Sequence, residues 1–371
     1  MRRRLLWAWR EGAAAARGLA ELGGARGKPP WRVLFFGTDD FAAESLRALE
    51  AAREPREEPL LDRLEVVTLP SPLPRGLPVK NCARHFQLPT HEWPDTGPRG
   101  QFDVGVVASF GRLLSEELIL QFPYGVLNVH PSYLPRWRGP APIIHTVLHG
   151  DTVTGVTIMQ IMPKRFDVGP IIKQEKFAVP SQCTAKELEV ILSKLGANML
   201  ISVLKNLPES LKNKREQPNE GVTFAPKITV ATSCIKWEEQ TPEQILRLQR
   251  AIGATIPLQT LWMGNTVKLL DFVEVHNIPG FADQLLNKHG IVPGSVLYHK
   301  SSQTVVVRCK EGWVGVKTVI LKKKLTAADF YNGYLHSLFQ QNSKMLHRDC
   351  RFQTLKRTAV KKTERKGNVG V

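Results

Sequence analysis

Between residues 32 and 205, short apolar runs alternate with longer stretches of helical period, and few architectures satisfy that alternation. The runs fall at 32–36, 64–69, 103–108, 125–129 and 155–162, each flanked by turn residues. Helical patterns lie between and after them, at about 40–51, 113–121, 140–149 and 184–205. A strand that is apolar throughout must be covered on both faces, and a helix between two strands returns the chain so that they run parallel. The segment therefore reads as βαβ units building an α/β fold, a Rossmann-like, doubly wound and mostly parallel sheet. In such sheets ligands sit beyond the carboxyl ends of the strands.

The pattern changes afterwards. Residues 206–221 are polar and proline-containing, as in a linker. Thr241-Pro242-Glu243-Gln244 has the order of an N-cap, a proline at the first helical position and a capping-box glutamine. Ile245, Leu248 and Ile252 then make one apolar face, with Arg247 and Arg250 on the other. Short β-like runs follow at 258–262, 266–274, 294–298, 303–309 and 313–321, which fits a smaller antiparallel barrel. The expected plan is a leader over 1–31, an α/β domain over 32–205, a linker over 206–221, a β domain over 222–342 and a tail over 343–371.

Charge is concentrated at the two ends of this plan. Of a net +17, residues 1–31 carry seven basic against two acidic side chains, and residues 343–371 carry nine against two. The leader is rich in Arg and Ala and interleaves Leu5, Trp7 and Trp9 with arginines. It has no apolar run long enough for a membrane span or a secretory core, and Pro29-Pro30 ends it just before the first strand. It reads as a mitochondrial targeting segment; the plainer reading is a disordered basic leader. Cys82, Cys183, Cys234, Cys309 and Cys350 are odd in number, widely spaced and form no Cys-x-x-Cys pair. They argue against structural zinc and a disulfide framework, and suit a reducing compartment such as the mitochondrial matrix. No metal site is expected, since His145 and His149 sit four apart with no neighbouring Glu. A dinucleotide enzyme is excluded too: Gly37-Thr38-Asp39-Asp40-Phe41 offers one glycine where the fingerprint needs three, and its aspartates would repel a pyrophosphate.

Chemistry enters at residues 125–142. An apolar strand carries Asn128 and His130 at i, i+2, on one side of an extended backbone, and then breaks at Pro131, Pro135 and Gly139. An amide can stabilise a developing oxyanion, and an imidazole can donate to it or move a proton. A strand whose Asn and His merely satisfy loop groups has the same spacing, so spacing alone leaves both readings open.

The surrounding residues go further. Asn-x-His followed by Pro-Ser-Tyr-Leu-Pro-Arg-Trp-Arg-Gly-Pro-Ala-Pro resembles the signature of the formyltransferases that use 10-formyltetrahydrofolate. The Leu134–Gly139 run is similar to the branch that acts on methionyl-tRNA. Thr154–Gln160, Phe166-Asp167-Val168-Gly169, Val33–Ala42, Phe224–Ile228, Ile235-Lys236-Trp237 and Val292-Pro293-Gly294 extend the resemblance over about residues 32–335. The resemblance implies an OB-like barrel in the C-terminal half. It also implies transfer of a formyl group to the α-amino group of methionyl-tRNA, for initiation of mitochondrial translation. Asn128 and His130 would donate to the formyl oxygen, and Asp167 would act on the imidazole or relay protons. Ser132, Tyr133, Leu134 and Pro135 match the part of the loop that borders folate. Arg136, Trp137 and Arg138 could meet the tRNA's terminal adenosine by stacking and phosphate contact, although Trp137 reads equally well as the anchor of a rigid loop. Arg247, Arg250, Lys322, Lys323 and Lys324, with the tail, would supply a wider basic footprint for the acceptor stem. The enzyme would act as a monomer with no membrane insertion. The family's long Gly- and Lys-rich loop after its second strand is replaced by residues 68–78, short, proline-heavy and with one basic side chain. Two alternatives share these features: a folate-dependent formyltransferase or formyl hydrolase for a small molecule, and a non-catalytic RNA-binding protein on the same fold.

Overall fold

A computed structural model describes residues 26–53, 58–72, 76–277, 291–336 and 351–355. Most of the leader, residues 73–75 of the proline-rich loop and most of the tail lie outside them. The chain forms two compact units that divide between Lys227 and Ile228, with residues 147–149 assigned to the second.

The first unit is built on seven strands: β1 (Trp31–Gly37), β2 (Leu61–Thr68), β3 (Thr90–Glu92), β4 (Val104–Ala108), β5 (Val126–His130), β6 (Val153–Gln160) and β7 (Ile171–Ala178). Their order is β3-β2-β1-β4-β5-β6-β7. The first five run parallel, and β6 is antiparallel to both of its neighbours. Every residue of β1 except Arg32 is buried. Leu34 and Phe36 face one way, into a cluster with Val67, Val107, Phe110, Phe122 and Val126. A strand sandwiched on both faces has no polar side, hence the apolar run from Val33 to Phe36. Adjacent β1 and β4 lead to strands on opposite sides of the sheet, which is the topological switch point.

Helix α1 (Asp40–Ala51) starts on the Asp39 cap, α2 is Pro78–His85, α3 Glu116–Ile119, α4 Pro142–His149 and α5 Ala185–Lys205. Three features depart from the periodicity. The helix expected over 113–121 is a single turn, α3, capped by Ser115. Neither β7 nor α2 gives a strong apolar signal: β7 is an edge strand with exposed Glu175 and Lys176, and α2 is rich in Lys, Asn, Arg and His. The expected linker is ordered. It contains α6 (Leu207–Lys212), and Arg215 exchanges both backbone hydrogen bonds with Ile171, at 2.7 and 2.9 Å.

The second unit opens with α7 (Pro242–Ile252), whose Thr241 and Gln244 form the reciprocal capping box. Strands β8 (Leu258–Trp262), β9 (Asn265–Glu274), β10 (Val296–His299), β11 (Thr304–Cys309) and β12 (Gly312–Ile320) lie in the order β10-β11-β12-β9-β8, all antiparallel. A short β13 (Lys324–Thr326) pairs with β12. Arg351 bridges to Ser295 beside one edge strand and Gln353 to Leu261 in the other, so this segment links the two edges of the sheet. Phe352 between them is fully buried, its ring near those of Trp237, Trp262 and Phe330. Residues 351–355 therefore belong to the fold and not to a free tail; one aromatic among basic neighbours hid that in the sequence.

Among the described residues, no helix is long and apolar enough to cross a membrane, and no group of three or more His, Cys, Asp or Glu could hold a metal ion.

Candidate active site

Strand β5 lies inside the sheet, with β4 on one side and β6 on the other, and its last pleats carry Asn128 and His130. Their i, i+2 relation brings both to Asp167, from the turn between β6 and β7. Asn128 Nδ2 donates to Asp167 Oδ1 at 3.3 Å, and His130 Nδ1 lies 3.7 Å from the same oxygen. Gly139 N–H donates to the other oxygen, Oδ2, at 2.8 Å. His130 Nε2 sits 3.0 Å from the Trp137 carbonyl, which can only accept, so Nε2 bears the proton and Nδ1 is left to exchange one on the Asp167 side. His130 is 4% exposed and Asp167 9%.

The backbone around these groups is tightly constrained. Asp167 is held at φ 52°, a left-handed conformation that costs a non-glycine residue of order 1–3 kcal/mol and persists only where neighbours enforce it. Gly139 has φ 122°, and a Cβ there would fall 2.7 Å from the Ala225 carbonyl oxygen. Glycine is required at that position.

In the Arg136-Trp137-Arg138 loop, Trp137 turns inward between two half-buried arginines. Arg136 makes a bidentate pair with Asp151, at 2.8 and 2.6 Å, and this hydrogen bonding holds its pKa above the ordinary arginine value. Trp137, 5% exposed and at φ 64°, donates its indole N–H to Asp151 Oδ2 at 2.7 Å, with the Arg136 guanidinium 4.2 Å from its ring centroid. Arg138 gives two N–H groups to Gln217 Oε1, at 3.0 and 2.6 Å; burial pushes its pKa down, against the opposing pull of Asp167. Of the two roles the sequence allows Trp137, stacking on a base or anchoring the loop, its burial and its bond to Asp151 fit the anchor. The loop is a frame: its carbonyl at Trp137 fixes His130, and its N–H at Gly139 fixes Asp167.

Of the four residues expected to border folate, two are interior. The fully buried Ser132 donates its hydroxyl to the Arg136 carbonyl at 2.7 Å, and Leu134 is 1% exposed. Tyr133 and Pro135 are half-buried, with Lys176 Nζ 5.1 Å from the Tyr133 ring centroid. Thr157 stitches this stretch to β6: it donates to Ser132 O at 2.7 Å and accepts from Leu134 N at 3.2 Å. Gln174 donates to Leu134 O at 2.8 Å. A cavity of about 550 Å³, lined by Trp93, Leu113, Leu114, Glu116 and Lys164 among others, reaches the loop three residues ahead of Asp167. Gln217, Asp151, Thr157 and Gln174 were not picked out from the sequence. No spacing marks them; Thr157 falls inside the Thr154–Gln160 stretch, where nothing local sets it apart from its strand.

In the second unit, Arg247 is ion-paired with Glu243 one turn earlier, and Arg250 is half-buried. Lys322 and Lys323 lie exposed between β12 and β13, and Lys324, also exposed, opens β13.

Known proteins resemble this chain over most of its length. Residues 84–204 match the formyl transferase family, and residues 227–335 match the formyl transferase C-terminal domain. The mitochondrial methionyl-tRNA formyltransferase of Homo sapiens is 70% identical over 341 residues, covering 92% of this chain and 87% of that protein. The methionyl-tRNA formyltransferase of Magnetococcus marinus is 31% identical, over 82% of this chain and 96% of its own. Among solved structures, HypX from Aquifex aeolicus in complex with tetrahydrofolic acid shares the fold at a TM-score of 0.52 and 17% identity, covering 83% of this chain and 48% of that one.

Proposed function

Because this chain belongs to the formyl transferase family, among the methionyl-tRNA formyltransferases, we infer that it transfers a formyl group from 10-formyltetrahydrofolate to the α-amino group of methionyl-tRNA. The observation that carries the mechanism is the meeting of an amide, an imidazole and a carboxylate at the end of β5. The amine nitrogen bonds to the formyl carbon, negative charge gathers on the formyl oxygen, and the bond from that carbon to the folate nitrogen then breaks. The amine loses a proton and the folate nitrogen gains one.

Each residue has a part in this. Asn128 commits one amide N–H to Asp167 and has a second for the oxyanion. His130 exchanges a proton at Nδ1, with its ring held by the Trp137 carbonyl. Asp167, beside the imidazole, can pass a proton onward from the attacking amine to the folate nitrogen. Tyr133 and Pro135 border the folate, with the buried Ser132 and Leu134 holding that stretch in place. The tRNA's acceptor stem is met by cations outside the loop, with Lys322, Lys323 and Lys324 foremost. The enzyme acts as a monomer and works in the mitochondrial matrix, addressed by the leader. Incubation of purified protein with radiolabelled formyl donor and charged methionyl-tRNA tests this function. Label should pass to the aminoacyl group, and an Asn128→Ala protein should pass almost none. Release of free formate, or transfer only to small amines, would overturn the tRNA reading.

A further inference from the structure

We propose that Gln217 is a positioning residue for formyl transfer, clamping the turn that carries Asp167 to the loop that orients His130. The inference rests on the reading of Asp167 as a group of the reaction, and it concerns a residue in the polar 206–221 stretch, away from every motif.

The geometry uses the whole side-chain amide. Nε2 lies 2.9 Å from the carbonyl oxygen of Asp167 and 2.9 Å from that of Gly169, so its two hydrogens go to two carbonyls of one turn. Oε1 accepts both the Nε and Nη2 hydrogens of Arg138. Arg138 in turn is tied by its backbone to the chain just beyond Gln217, N to Thr223 O at 2.9 Å and O to Ala225 N at 2.7 Å. Trp137, just before Arg138, fixes His130, and Gly139, just after it, fixes Asp167. Gln217 thus joins the two backbone points on which the imidazole and the carboxylate depend.

The turn needs such a tie. Asp167 is left-handed, and a Cβ on Gly169 would lie 1.7 Å from the Gln160 carbonyl oxygen, so the chain there is both strained and pressed against β6. A strained conformation relaxes when the bonds that enforce it are removed. Glutamine is the side chain that fits: it donates twice from one nitrogen and accepts twice at one oxygen. Glutamate would keep the Arg138 fork and lose both donors.

Two variants separate the parts. Gln217→Glu retains the partner of Arg138 and should keep a melting temperature near that of the unchanged protein. Gln217→Ala loses both halves. We expect each to lower kcat by about tenfold or more, with KM for the folate donor and for methionyl-tRNA held within about threefold, the pattern of a misplaced reacting group. Because the effect runs through Asp167, Gln217→Glu placed in an Asp167→Ala background should cost less than about twofold more. A Gln217→Glu protein that keeps over half its kcat, or an equal fold-loss in both backgrounds, would overturn the proposal. An Asp167→Ala protein with full turnover would instead sink the reading beneath it.

Discussion

Two clusters of positive charge read alike in the sequence and behave differently in the molecule. Arg136 and Arg138 bracket Trp137 beside the site, and Lys322–Lys324 stand where the chain turns into β13. In the first cluster each guanidinium is committed to protein: Arg136 to Asp151, Arg138 to Gln217. In the second the three lysines are exposed. A fork-shaped guanidinium satisfies a carboxylate or amide with two bonds at once, so arginines beside a strained loop serve to lock it. Lysines on a tight turn have no such geometry to complete and stay hydrated. The difference divides the labour: substitutions in the first cluster should appear in turnover and stability, and those in the second in RNA affinity.

The sharpest test of that division removes the proposed oxyanion donor. Asn128→Ala should lower turnover ~10²–10³-fold, while tRNA affinity and its salt dependence stay as they were. Stopped-flow turnover and filter binding on the same preparation decide it. A comparable fall in affinity would mean that site and footprint are not separable.

Asp151→Ala comes next. Its side chain takes two bonds from Arg136 and one from the buried Trp137 indole, so the substitution strands an interior N–H and loosens the frame behind His130. A loss of about 1–3 kcal/mol in the urea unfolding of the protein is expected, together with reduced kcat. Unfolding at an unchanged urea midpoint would show that the loop stands without this carboxylate.

How far the sequence reached can be judged from the same residues. The sheet was legible because its buried strands are short, mostly apolar runs between turn residues, and Asn128 with His130 because two polar groups at the end of such a run are conspicuous. Asp167 was recovered through resemblance and not through spacing, since a lone carboxylate after Lys164-Arg165 looks like a surface ion pair. The inward turn of Trp137 was legible only as an alternative to base stacking. It depends on Asp151, fourteen residues away across α4, and no local pattern announces that pairing. Gln217 was hidden for the same reason, within a stretch whose polarity and proline resemble a linker. Long-range polar bonds between single residues leave no periodic trace, whereas burial does.

The lysine turn gives a smaller effect. Replacing Lys322, Lys323 and Lys324 with Ala should weaken tRNA binding and make log K less steep in log salt, by ~0.7–0.9 for each phosphate no longer neutralised. Turnover at saturating tRNA should hold within about twofold. Arg136→Ala is the matched comparison: its charge is already neutralised by Asp151, so the salt slope should not move. Equal slopes for both proteins would erase the distinction between committed and hydrated cations.

Asp39 stands between these extremes and carries the smallest effect. The residue is exposed, yet its carboxylate accepts from Ala42 N–H at the start of α1, at 3.0 Å. Loss of hydration, with Glu189 and Asp40 nearby, pushes its pKa up to about 6. The native state then binds a proton that the unfolded chain, with an ordinary carboxyl near 3.9, has already released over that interval. Stability from this group is greatest below about pH 4 and is lost as pH rises through 6. Asp39→Asn keeps an oxygen for Ala42 and carries no charge, so it should flatten that slope and stabilise the protein slightly at pH 7. Given the exposure and solvent screening, the gain is under about 1 kcal/mol. Melting temperatures at pH 5 and pH 7.5 for the unchanged and Asp39→Asn proteins measure it. If the substitution gains nothing at pH 7.5 relative to pH 5, water reaches this carboxylate as freely as it reaches the lysine turn.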